Sequence, residues 1–80
     1  MLQELKTANK VVGIKQLRRA LREGTARRIF LADNADPCLT DPIRTEADAL
    51  GVPVVTVPTM EELGKACAIP VKAAAAAILN

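Results

Sequence analysis

The stretch RIFLADNADPCLTDPIRTEADALGVPVVTV, Arg28 to Val57, sets two short apolar runs on either side of a polar, turn-rich segment. RIFLA, Arg28 to Ala32, reads as a buried strand. VPVVTV, Val52 to Val57, is β-branched and bounded by turn residues, and reads as a second one. Between them Asp41 followed by Pro42 supplies the N-cap and first position of a helix running to about Leu50, which Gly51 closes. Strand, helix and strand in this order predict neighbouring strands joined by a right-handed crossover.

Downstream, Thr59 and Glu62 make a capping box for a helix to about Cys67, with Leu63 and Ala66 as core positions. Upstream, Ile14, Leu17, Ala20 and Leu21 lay an apolar stripe on a helix over residues 15 to 23 that Gly24 stops. Residues 3 to 9 allow one more short helix. The order α, α, β, α, β, α predicts a small sheet with helices packed on both faces. The tail KAAAAAILN, Lys72 to Asn80, is ambiguous. Alanine is the best helix former, yet so short a run does not nucleate a helix unaided, and small side chains also suit a strand closely covered by helices.

Eighty residues, half of them hydrophobic and 25% charged, make one small domain that hides only roughly 60% of its unfolded surface. No apolar run approaches the roughly 20 residues of a membrane span. The first ten residues carry charges and no apolar segment, so a secretory signal is not expected and the expected location is the cytoplasm. Cys38 and Cys67 occur without any histidine, which removes a standard zinc set and a histidine-based triad. Both are expected to be buried, inert thiols.

The net charge of +2 conceals a polarised chain. Residues 1 to 28 carry eight Lys or Arg against Glu4 and Glu23, while residues 33 to 62 carry Arg44 against seven acids. Lys15, Arg18, Arg19 and Arg22 fall at i, i+3, i+4 and i+7, which places four cations on one helical face. Cations in the first turn oppose the helix dipole. A solvated basic face is one reading. The other is an anion or nucleic-acid site, because Gly13, free backbone amides and cations meet at one helix end. Phe30 is the only aromatic residue, so base stacking on an aromatic platform is excluded, and a helix reads RNA base edges only where the duplex is distorted.

Asp33, Asp36 and Asp41 follow the first strand. Turn initiation by Asp36 with Pro37 and capping by Asp41 account for two of them. Without histidine, a nucleophile constellation or a glycine-rich phosphate loop, nothing supports catalysis, a metal or a cofactor. AIPV, Ala68 to Val71, is an apolar loop, either packed or exposed towards a ligand.

Four segments, GIKQLRRAL (13 to 21), ADNADP (32 to 37), GVPVVTV (51 to 57) and LGKACAIPVKAAAAAI (63 to 78), stand in the order and spacing of a known family. Over nearly its whole length the chain resembles the kink-turn RNA binders typified by ribosomal protein L-seven-Ae, above all their short bacterial members. The resemblance implies a three-layer α/β/α sandwich with a small mixed sheet of about four strands, the alanine tail being one of them. It implies a monomeric, non-catalytic protein that binds kink-turn or kink-turn-like RNA, ribosomal RNA among the candidates, with no membrane and no small-molecule substrate. Gly13 and Ile14 would then admit close backbone approach, and Lys15 and Gln16 would reach the edges of sheared G·A pairs. Arg19 would meet a guanine edge or phosphate, and Arg18 and Arg22 the neighbouring backbone. Asp36 would accept a hydrogen bond from an extruded nucleotide, against which Ile69, Pro70 and Val71 would pack. Four residues depart from the family pattern. Lys15-Gln16 replaces the commoner Asn-Glu, Met60 stands where some members have Lys, and Ala68 stands where Gly is usual, a strained choice if its φ is positive. The rival reading is a small α/β interaction or anion-binding domain that offers its basic face to an acidic partner.

Overall fold

The computed structural model describes Leu5 and residues 9 to 80. Among them the chain runs β1 (Lys10–Val12), α1 (Ile14–Glu23), β2 (Ala26–Ala32), α2 (Pro37–Leu50), β3 (Val54–Val57), α3 (Met60–Ala66) and β4 (Ala75–Leu79). The four strands form one mixed sheet in the order β1-β4-β2-β3. β4 is antiparallel to both neighbours, pairing Ala77 with Val11 on one side and with Ile29 on the other. β2 and β3 are parallel, with Ile29 opposite Val54 and Ala32 opposite Val57.

Strand alternation sorts the core into two layers. Ile29 and Leu31 of β2 and Ala75 and Ala77 of β4 pack with Leu17 and Leu21 of α1 and Ile43 and Ala47 of α2. Phe30 and Ala32, Ala76 and Ile78 face the other way, against Leu63 and Ala66 of α3 and against Leu5. Helices therefore cover both faces, as expected for the three-layer sandwich. Each fully buried large side chain, such as Phe30, Leu17 or Ile43, contributes about 1.5–3 kcal/mol. The alanines of β4 are fully buried at 75 to 77. Their small side chains let both helical layers close on a central strand, which overrides their helix propensity.

Four expectations need correction. α2 begins one turn early: Asp36 is the N-cap, its Oδ1 accepting the Cys38 amide at 2.9 Å, and Pro37 takes the first position. Asp41 and Pro42 thus lie inside the helix. Pro42 removes the bond to the Cys38 carbonyl, which sits in an exposed first turn where water can replace it. Second, β1 was not foreseen: three residues carry too little pattern, and pairing with β4 creates the strand. Third, β3 starts at Val54, after Val52 and Pro53. Fourth, Cys67 is buried as expected but Cys38 is exposed. The helix expected over residues 3 to 9 falls almost wholly outside the described residues. None of the helices among the described residues is long and apolar enough to cross a membrane.

Candidate nucleic-acid interface

α1 starts at Gly13, with φ 108° and ψ 153°, a conformation that only glycine adopts without strain. The Gly13 amide donates to the Ala75 carbonyl at 2.8 Å, and its carbonyl accepts from the Leu17 amide at 3.0 Å. A Cβ built at this position would meet nothing within 4 Å. Backbone angle, not crowding, therefore demands glycine, and the space in front of the helix end stays open. Among the described residues no side chain caps this end and no acid lies in its first turn, so the leading amides keep the helix's positive end without a side-chain partner there.

Lys15, Gln16, Arg19 and Arg22, with Glu23, line an open groove along the solvent side of α1. The four expected cations do not act as one set. Arg18 leans towards α2, its guanidinium 3.9 Å from the Glu46 carboxylate, and is absent from that groove. Arg19 donates through Nε to Glu23 Oε2 at 3.3 Å. Lys15 and Arg22 form no ion pair among the described residues.

Segments distant in sequence meet at the same end of the sheet. The Ala32 amide, at the end of β2, donates to the Ala74 carbonyl, and the Asp33 amide donates to the Val57 carbonyl. Asn34 Oδ1 accepts the Met60 amide at 2.8 Å, and the Ala73 amide donates to the Met60 carbonyl. These bonds tie the β2–α2 turn, the start of α3, the loop before β4 and, through Ala75, the start of α1. Asn34 was not singled out from sequence. Its place in ADNADP after a strand was the available signal.

The loop over residues 68 to 72 folds back along α3. Ala68 has φ 61°, and its amide donates to the Lys65 carbonyl while that of Ile69 donates to the Gly64 carbonyl. This is a left-handed helix stop normally given to glycine, so the strain foreseen at Ala68 is present. Gly64 allows the return, because a Cβ there would collide with the Val71 carbonyl. Ile69 is half-buried against the α3-side core, while Pro70 and Val71 are exposed, Val71 at 64%.

Asp36 is exposed and spends one carboxylate oxygen on its cap. Asp33 is exposed and Asp41 sits within α2, and no group of three metal-ligating side chains occurs among the described residues. Burial pushes the Cys67 thiol above its ordinary pKa, with Lys10 opposing more weakly. Cys67 is therefore a protonated core group.

A three-layer α/β/α domain whose cationic helix end has no side-chain cap among the described residues, at the same end of the sheet as an exposed apolar loop, offers a surface suited to an anion or a nucleic acid. The chain matches the Ribosomal protein L7Ae/L30e/S12e/Gadd45 family over residues 1–80 and belongs to it. It is 47% identical over 76 residues to an RNA-binding protein of Geobacillus sp. (strain WCH70), covering 95% of this chain and 93% of that protein. To the RNA-binding protein YbxF of Geobacillus stearothermophilus it is 46% identical over 70 residues, covering 88% and 85% respectively. The structure of the Giardia lamblia 15.5kD RNA binding protein superposes with a TM-score of 0.90 at 25% identity, covering 99% of this chain and 70% of that one.

Proposed function

We propose that this chain is a non-catalytic RNA-binding protein that recognises a kink-turn or kink-turn-like element through the start of α1 and the apolar loop 68 to 72. The observation that carries the reading is their convergence at one end of the sheet, tied through the Gly13 amide and the Ala75 carbonyl. Open backbone amides meet phosphate, Lys15 and Gln16 reach base edges exposed where a duplex is distorted, and Arg19 meets a guanine edge or phosphate. Arg22 follows the backbone along the groove, and Arg18, turned towards Glu46, contributes to the general potential. Asp36 keeps one carboxylate oxygen for an extruded nucleotide, and Ile69, Pro70 and Val71 give that nucleotide an apolar rest in place of an aromatic one.

The work done is conformational. RNA exchanges between extended and kinked forms, and a protein that binds only the kinked form shifts the population towards it by its differential affinity. Ribosomal RNA is one source of such elements. The family and the names of its relatives support RNA binding, and the open helix end supports the kinked geometry.

A dye-labelled kink-turn stem, titrated beside the same stem with its tandem G·A pairs replaced by Watson–Crick pairs, tests the reading. Tight binding of the first alone, with a sharper bend reported by the dyes, is expected. Arg19→Ala should weaken that binding by about 1–3 kcal/mol. Equal, salt-sensitive binding of both stems would reduce α1 to a general polyanion patch and favour the acidic-partner reading.

A further inference from the structure

Glu23 stands where helix energetics argue against an acid. It is the last residue of α1, at the negative end of the helix dipole. Its pairing with Arg19, four residues earlier, also runs in the less favourable sense, with the cation on the N-terminal side. Among the described residues lining the groove it is the only acid, beside Lys15, Gln16, Arg19 and Arg22. An acid there repels the phosphates that the cations attract.

The bond to Arg19 offers a reason. A guanidinium holds five N–H donors in one rigid plane. With Nε donating to Glu23 Oε2 at 3.3 Å, the Nη1 and Nη2 pair has no partner among the described residues and is left as a fork. A guanine presents two acceptors, O6 and N7, to such a fork. We propose that Glu23 is a positioning residue for RNA readout. Holding Arg19 by Nε, it sets the guanidinium plane for a guanine edge, and its charge turns away a regular duplex that would lay a phosphate in the groove.

In the free protein the pair is mostly exposed, 70% for Arg19 and 55% for Glu23, so it adds little to folding. Water leaves the groove when RNA closes over it, and the same bond then strengthens. The inference rests on the kink-turn reading, and deepens it by naming the residue that separates base readout from phosphate attraction.

The test titrates wild type, Glu23→Ala and Glu23→Gln with the kinked and Watson–Crick stems, and repeats Glu23→Ala in an Arg19→Lys background. Glu23→Ala should lose about two- to fivefold on the kinked stem while gaining on the Watson–Crick stem. Glu23→Gln keeps an acceptor and should retain most of the kinked affinity. In the Arg19→Lys background, which lacks the fork, Glu23→Ala should no longer weaken kinked binding. Equal tightening of both stems by Glu23→Ala, or an unchanged ratio between them, would overturn the positioning role and leave kink recognition standing. Equal binding of both stems by wild type would overturn both.

Discussion

The helices among the described residues begin in two different ways. α2 is capped by the Asp36 carboxylate, and α3 by the Thr59 hydroxyl accepting the Glu62 amide at 3.1 Å, with Glu61 and Glu62 in its first turn. Both complement the positive end of the helix dipole. α1 has Gly13 and no side-chain cap, no acid in its first turn, and Lys15 where an acid belongs. The forgone cap and reversed charge each cost about 0.3–1 kcal/mol. The difference teaches that local stability is withheld at one helix end, and that end lies at the same end of the sheet as the exposed loop. Packing of Leu17, Ala20 and Leu21 holds α1 in place of a cap.

Giving α1 a conventional start breaks the comparison most strongly. Gly13→Asp forces a residue with a side chain into φ 108°, costing about 1–3 kcal/mol of stability in a urea titration. It also sets an anion where phosphate is expected, worth about 1–4 kcal/mol of repulsion at contact distance. Kinked-stem binding should be lost well below the urea midpoint. A variant that folds and still binds would show that α1's open start serves no ligand.

Next in size, Thr59→Ala removes a cap that faces no proposed ligand. It should lower stability by about 1 kcal/mol and leave RNA affinity unchanged. Asp36→Ala should cost as much in stability and weaken binding of the extruded nucleotide as well. Matched RNA affinities in the two variants would remove Asp36 from the interface.

A smaller effect sharpens the contrast from the loop side. Ala68→Gly relieves the left-handed strain at φ 61° and should raise the thermal midpoint, by about 0.5–1 kcal/mol in stability. Smallest is the thiol contrast. Burial raises the Cys67 pKa from 9.0, so the folded state keeps its proton where the unfolded state has lost it. That contribution is complete below pH 9.0 and fades as pH rises through the folded value. The wild-type urea midpoint should therefore fall more steeply above pH 9.0 than that of Cys67→Ala. Exposed Cys38 should react with iodoacetamide in the folded protein while Cys67 is spared.

How much of this was legible before folding depends on how local the cause was. Thr59 caps α3 and the stripe Leu17, Ala20, Leu21 buries α1, because caps and helical periodicity act within a turn or two. The start of α2 was misplaced because Asp41-Pro42 and Asp36-Pro37 carry the same signature, and burial of Thr40 in the earlier turn selects the second. For the interface, the residue types were legible at Gly13, Lys15, Gln16 and Arg19. The splitting of Arg18 from its fellows was not, since Glu46 lies on another helix.

The sequence by itself determined the alternation of strands and helices, the glycine stops at 24 and 51, and a basic α1 opposed to an acidic middle. These follow from steric, periodic and charge preferences that each residue carries with it. Only the tertiary structure decided that the alanine tail is a central strand, that Lys10–Val12 is a strand at all, and that loop 68 to 72 lies at the same end of the sheet as the start of α1. Those outcomes depend on pairing and burial between segments far apart in the chain, whose free energy exists only once the sheet has formed.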